Sequence, residues 1–221
     1  MKNLFFLSIF LFLPFFQFAQ TVNENSLDKK EFQKKSEFLL KEFGNNKIIP
    51  ENIKIEALTA LSFFPELKNI KIIFTGKKIR TTMQARPKND ILFKRKNKRT
   101  YYVYLNNNKG KHHSMDLGQF SYNSLVGILG HELSHVAYYS GKGSLAIAEN
   151  GILYIISHSF REKFEKETDR TAIRHNLGFQ LYENRVFLLT NPNITDNSKK
   201  RTRDLYLSPE EIIEIGHLNV K

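Results

Sequence analysis

Apolar residues recur three and four positions apart through most of the chain after residue 20, and strand-like runs occupy only a short middle section. The helical spacing predicts five helices: 26–43, 50–61, 121–139, 144–159 and 160–176. Runs rich in β-branched and aromatic residues predict three strands: 69–74, 91–93 and 101–105. Helices that precede and follow a group of strands predict an α+β fold, with residues 20–221 as one domain.

Residues 1–19 have the pattern of a secretory signal peptide. Lys2 is followed by an apolar run over 4–16, and the small residue Ala19 comes shortly afterwards. The run is shorter than the roughly 20 residues that a membrane-spanning helix requires. The pattern therefore predicts cleavage near Ala19 or Gln20 and an exported protein, periplasmic or secreted.

The C-terminal part is predicted to be a linker followed by a short helix. Residues 191–203 are polar, which predicts the linker. Ser208, Pro209 and Glu211 then supply a capping residue, a proline at the first helical position and the glutamate of a capping box.

The chain contains no cysteine, and this narrows its chemistry. Disulfides and thiolate nucleophiles are excluded, and a metal ion must be held by His, Asp or Glu.

Lys and Arg number 34 against 22 Asp and Glu, a net charge of +12. The basic clusters at 94–99 and 199–203 contain no interleaved aromatic residues, so nucleic-acid binding is the less favoured interpretation. Solvated segments, or attraction to an anionic envelope surface, account for them better.

Residues 130–136 carry the most informative motif, Gly-His-Glu-Leu-Ser-His-Val. His131 and His135 are four apart, so on a helix both imidazoles lie on one face and can bind one Zn²⁺. Glu132 lies beside them, where it can take a proton from a zinc-bound water. The flanking segment 125–129 is apolar, which indicates a buried helix rather than a surface helix with two solvated histidines.

A zinc site of this kind needs a third protein ligand and leaves one position open for water. Gly141 stands where an astacin-like site requires a histidine, so that spacing is excluded. On the helix predicted over 160–176, Glu165 can reach the zinc, and Asp169, four residues later, can orient one of the histidines. Three other glutamates remain alternatives for the third ligand: Glu167, Glu149 and Glu162.

The HExxH motif followed by a Glu-x-x-x-Asp helix resembles the gluzincin metallopeptidases, in particular the compact minigluzincins. The matching residues lie within 121–178: His131, Glu132, His135, Glu165 and Asp169. Thr168 departs from the alanine that many of these proteins have. The resemblance implies a zincin-like fold, in which a small mixed or antiparallel sheet packs on the active-site helix and the glutamate helix follows.

The resemblance also implies two features that the sequence does not assign to particular residues. One is an edge strand that holds a peptide substrate by strand pairing; residues 101–105 are a candidate, although they also fit an ordinary core strand. The other is a side chain that stabilises the oxyanion. Four residues near the motif are alternatives for it: Tyr138, Tyr154, Arg174 and His175.

These observations favour a zinc-dependent metallohydrolase, most simply a peptidase, whose partner is a peptide or protein substrate. A non-catalytic zinc-binding relative that serves as a binding module is the alternative, and a basic nucleic-acid-binding protein is a weaker one.

Residues 145–156 are strongly apolar. They are expected to form a core helix between the two metal-binding helices, with a membrane-facing helix as the alternative.

Overall fold

The computed structural model describes residues 25–107 and 116–220, so the predicted signal peptide lies outside the described residues. Nine helices occur in the described part of the chain: α1 (Lys29–Lys34), α2 (Ser36–Phe43), α3 (Lys54–Ser62), α4 (Tyr122–Gly141), α5 (Ser144–Ile156), α6 (His158–Arg174), α7 (Gly178–Thr190), α8 (Asp196–Leu205) and α9 (Pro209–Gly216). Four strands form one sheet: β1 (Lys47–Ile48), β2 (Lys71–Lys77), β3 (Met83–Pro87) and β4 (Thr100–Asn106). The α+β prediction agrees with this mixture of helices and a small mixed sheet.

The sheet has the order β1–β2–β4–β3. The first three strands are parallel, and β3 runs antiparallel to β4 with Ala85 opposite Val103. The prediction of a strand over 101–105 is confirmed, but β4 is an inner strand, so its interpretation as the substrate-holding edge strand is wrong. The edge on that side of the sheet is β3.

One predicted strand is wrong, and one observed strand was not predicted. Residues 91–93 form a 3₁₀ turn in which the Phe93 N–H donates to the Asp90 carbonyl oxygen at 3.0 Å. These residues cannot extend the sheet, because β3 already pairs with the open side of β4. The sequence analysis missed β3, whose alternation is short: Met83 and Ala85 face the core and Gln84 does not.

The helix predicted over 26–43 is two helices, α1 and α2. The Lys35 N–H donates a hydrogen bond to the Phe32 carbonyl oxygen, three residues earlier, and the regular helix ends there. The helix predicted over 50–61 is observed as a 3₁₀ turn followed by α3. The C-terminal helix α9 begins at Ser208 with the expected capping box.

The predicted linker over 191–203 is wrong from residue 196 onward, because that part forms α8. Thr195 caps this helix, and its few buried side chains include Thr202 and Leu205. Because α8 is otherwise polar, it shows little of the apolar periodicity that identifies a helix. Helix α7 was also missed in the sequence.

The core lies between the sheet and α4, which packs against α3, α6, α7 and β3. Helix α5 contributes only Ile147 to this core, and that is its one buried residue. The prediction of a core helix over 145–156 is therefore wrong. Among the described residues, no helix is long and apolar enough to cross a membrane.

Candidate metal centre

Helix α4 presents the HExxH motif from inside the protein. Ser121 caps the helix by accepting a hydrogen bond from the Ser124 N–H, and residues 124–136 are all buried. Gly127 allows close contact with α7, because a Cβ there would lie 2.0 Å from the Gln180 carbonyl oxygen. This contact holds the motif between α7 and the neighbouring helix α6.

The two histidines converge on one carboxylate of α6. Oxygen Oε2 of Glu165 lies 3.1 Å from His131 Nε2 and 3.3 Å from His135 Nε2. The donor atoms of the three residues lie within 4.8 Å of one another, and all three side chains are buried. With ligand bonds of roughly 2.0–2.1 Å, a tetrahedral site separates neighbouring donor atoms by about 3.3 Å. The cluster can therefore hold a metal ion.

Each histidine also uses its other ring nitrogen. His131 Nδ1 lies 2.8 Å from Asp169 Oδ1, and His135 Nδ1 lies 3.3 Å from the Thr168 hydroxyl oxygen. Because that hydroxyl already donates to the Phe164 carbonyl oxygen at 2.8 Å, it can accept from the His135 N–H. Both Nε2 atoms are thereby left to face the cluster, as a metal ligand requires. Thr168, which stands where many gluzincins have alanine, thus contributes a hydrogen bond.

Asp169 connects the cluster to two further elements. Its Oδ2 atom accepts from the Arg185 guanidinium of α7 at 2.9 Å and from the Leu207 N–H, just before α9, also at 2.9 Å. Asp169 is fully buried, and Arg185 is 3% exposed. The guanidinium also lies 4.6 Å from the centre of the Tyr206 ring. The orientation of His131 therefore depends on contacts that join three helices.

Opposite charges in the cluster shift the pKa values of its members. Burial lowers the pKa of His131, but hydrogen bonds with Asp169 and Glu165 outweigh this effect and raise it to about 10. Burial raises the pKa of Glu165, yet the neighbouring His135 and His131 hold it well below its usual range. The second oxygen of Glu165 accepts a hydrogen bond from the Tyr154 hydroxyl. Glu165 is thus a carboxylate, with one oxygen fixed by Tyr154 and the other facing the histidines.

Glu132 lies beside the cluster and is not one of its three members. Its Oε2 atom accepts a hydrogen bond from the Ala85 N–H of β3. Burial raises the pKa of Glu132, although His131 and His135 act in the opposite direction. A carboxylate with a raised pKa is a better proton acceptor at neutral pH than an ordinary one.

Two cavities meet at the cluster and together form a cleft. The larger, about 320 Å³, lies between β3 and α5, and the smaller, about 170 Å³, lies beside α7 and α8. His131 and Glu132 border both cavities, as do Arg201 and Tyr206. A ligand in the cleft therefore passes the metal-binding cluster and Glu132 together.

The structure separates the alternatives for the third ligand. Glu167 is exposed and pairs with Arg174 at 2.8 Å, and Glu149 is also exposed. Glu162 lies 3.3 Å from Lys166 on the outer side of α6. Of the glutamates considered from the sequence, Glu165 is the one that the described structure brings to both histidines.

The alternatives for the oxyanion-stabilising group divide in the same way. Arg174 pairs with Glu167, and His175 Nε2 lies 2.9 Å from Glu66, so neither borders the cleft. The Tyr138 hydroxyl pairs with the Asn150 amide, and Tyr154 borders the larger cavity. The sequence analysis missed Arg201 and Tyr206, which border both cavities. No motif in the sequence marks either residue, because α8 brings them to the cleft.

Removal of the third donor should weaken metal binding. We expect Glu165→Ala to raise the dissociation constant for zinc by about a hundredfold or more, because two histidines alone leave the ion underligated. Glu167→Ala, a matched change two residues away on the opposite side of the same helix, should leave it unchanged. Competition with a chromogenic chelator measures both values. The reverse ranking would remove Glu165 from the metal site.

A scan against models of protein families gave no match, and searches among curated proteins and solved structures gave none either.

Proposed function

We propose that this chain is an exported zinc-dependent metallohydrolase that cleaves peptides and belongs to the gluzincin type. The observation that carries the proposal is the buried group His131, His135 and Glu165 with Glu132 beside it, at the meeting point of two cavities. A buried cluster of four ionisable side chains costs stability unless it is bound or paired, so its presence in a cleft favours a functional role.

Zinc is the metal that fits this donor set best. Two imidazole nitrogens and one carboxylate oxygen are a common ligand set of catalytic zinc sites, whereas magnesium and calcium prefer oxygen donors. In such sites the three protein ligands leave a coordination position open. Here all three ligand residues border the larger cavity and His131 borders both, so an open position is accessible to substrate.

When bound, zinc would supply a Lewis acid that acidifies water and polarises the scissile carbonyl. Glu132 takes the proton from the attacking water and delivers it to the leaving amine, a transfer that its raised pKa favours. The Ala85 N–H holds Glu132 in position from β3. Asp169 and Thr168 hold the two imidazoles so that both Nε2 atoms face the zinc.

We assign peptide binding to β3 in place of β4. Strand β3 pairs with β4, and all five of its residues, Met83–Pro87, also border the larger cavity. An extended peptide that pairs with this edge would run past Glu132 and the zinc. The backbone then provides affinity without regard to the substrate sequence.

We assign oxyanion stabilisation to Tyr206. Its ring lies 5.5 Å from that of His131, and it borders both cavities. Burial raises the pKa of Tyr206, which keeps its hydroxyl protonated and able to donate a hydrogen bond.

Tyr206→Phe is expected to lower kcat by about a hundredfold while leaving zinc content and KM nearly unchanged, since the lost hydrogen bond forms mainly in the transition state. The matched control is Tyr138→Phe, because Tyr138 pairs with Asn150 and does not border the cleft. Steady-state kinetics of both variants test the assignment. Equal effects in the two variants would contradict it.

The function itself is tested by metal content and turnover of the purified protein. We expect about one zinc per chain by elemental analysis, and cleavage of unstructured peptides that stops after chelation and returns with zinc. Mass spectrometry of a peptide mixture identifies the cleaved bonds. Failure to bind zinc near neutral pH would rule out the proposal.

A further inference from the structure

An exposed apolar surface lies beside the larger cavity. Six large apolar side chains of α5 and of the turn at 91–93 are more than half exposed: Leu92, Phe93, Leu145, Ile152, Ile155 and Ile156. Phe93 is 87% exposed and Leu145 is 83% exposed. We call these six residues the apolar patch. Contiguous apolar surface of this kind on a folded domain marks a place of interaction.

The patch is continuous along α5 and into the turn. Leu145, Ile152 and Ile156 lie on one face of the helix, because they are seven and four residues apart. The Ser144 hydroxyl donates to the Ile91 carbonyl oxygen at 2.9 Å, which holds the turn against the start of α5. Arg99 strengthens this junction, since it donates to the Ser144 hydroxyl oxygen at 2.7 Å and to the Lys142 carbonyl oxygen at 2.7 Å.

Basic side chains border the patch at this junction. Lys94 and Arg95 directly follow Phe93, Lys98 follows five residues after it, and all three are exposed, as is Lys142 just before α5. Helix α5 itself carries one charged residue, Glu149, which is exposed and lies on the same face as Leu145 and Ile152. Apolar side chains next to a row of cations match the boundary of an anionic bilayer, where acyl chains lie just below phosphate groups.

We propose that the apolar patch docks the protein on the surface of a bilayer that contains anionic lipids. Helix α5 lies in the plane of the surface with the patch among the upper acyl chains, and Lys94, Lys98 and Lys142 reach the phosphates. Ile152 and Ile155 also border the larger cavity, so docking brings the mouth of the cleft to the membrane. This proposal does not depend on the proposed hydrolysis.

Co-sedimentation with vesicles tests the apolar contribution. The full chain should bind vesicles of equal parts phosphatidylcholine and phosphatidylglycerol much more tightly than vesicles of phosphatidylcholine alone. The double variant Ile152→Ser and Ile156→Ser should weaken binding about tenfold or more, because two exposed apolar side chains that would enter the bilayer become polar. The matched control is Phe38→Ser with Ile48→Ser, which changes two residues that are similarly exposed outside the patch. It should bind as the unmodified chain does.

The charge contribution has its own pair of variants. Lys94→Ser with Lys98→Ser should weaken binding to the anionic vesicles about thirtyfold at low salt, since each lysine near the surface contributes a factor of about five. Lys199→Ser with Lys200→Ser removes the same charge from α8 and should have a much smaller effect. Both variants lose two positive charges, so a difference in their vesicle binding shows the effect of where those charges lie.

Several outcomes would overturn the proposal. One is equal binding of the patch variants and their controls, since residues 1–24 are the same in all of them and would then account for the binding. Another is a loss of self-association in the Ile152→Ser and Ile156→Ser variant without a loss of vesicle binding, which would assign the patch to a second copy of the chain. Glu132→Gln should bind vesicles normally, so failure of the proposed hydrolysis is distinguishable from failure of docking.

Discussion

Glu132→Gln is expected to lower peptide turnover by about a thousandfold or more while one zinc per chain remains bound. The glutamine keeps the shape of the side chain and can still accept the hydrogen bond of the Ala85 N–H, but it cannot take a proton from water. Because burial already raises the pKa of Glu132, an uncharged group at this position should not destabilise the fold. Activity and zinc content measured on the same preparation separate catalysis from metal binding.

The matched control for this variant is Glu167→Gln, which removes an exposed carboxylate of α6 and should leave turnover unchanged. Unchanged turnover in Glu132→Gln would contradict the role of this residue as the base. A chain that binds zinc but cleaves no peptide in any form would favour the alternative, a zinc-binding module without catalysis.

Asp169→Ala is expected to lower the free energy of unfolding by about 3–5 kcal/mol, because it leaves a buried guanidinium without its counterion. It also removes the acceptor of the Leu207 N–H and the partner of His131 Nδ1. Zinc affinity should fall about ten- to a hundredfold, since His131 is no longer held in orientation. Denaturant unfolding of the metal-free protein measures the first effect, and zinc competition measures the second.

Asp204→Ala is the control, because Asp204 is exposed on α8 and its loss should change stability little. The double variant Asp169→Ala with Arg185→Met should recover part of the lost stability, since no unpaired charge then remains in the interior. If Asp169→Ala and Asp204→Ala cost the same, the network around Asp169 contributes no net stability.

The local sequence pattern was sufficient to predict an element where the residues that define it lie within one segment. Helix α4 has a capping serine, apolar residues on several faces and two histidines one turn apart, and all of these lie within 20 residues. Helix α9 has its whole capping box within four residues. The spacing on α6 also made Glu165 and Asp169 candidates, because it places both carboxylates on one face, but it left other glutamates open as the third ligand.

Local pattern failed where an element is defined by what it contacts. Strand β3 is short, and its identity depends on pairing with β4 and on the bond from Ala85 to Glu132. Helix α8 buries few of its residues, so its polar sequence resembles a linker. Helix α5 has the composition of a core helix, yet most of its apolar side chains are exposed.

The sequence by itself determined the mixed α+β composition, the buried helix with His131, Glu132 and His135, and the chemistry open to a chain without cysteine. Only the tertiary structure decided that Glu165 completes the cluster, that β3 forms the sheet edge, and that Tyr206 and Arg201 border the cleft. The physical reason is the distance along the chain over which the determining interactions act. Periodicity and capping depend on residues within a few turns, whereas a buried cluster depends on which distant surfaces exclude water together.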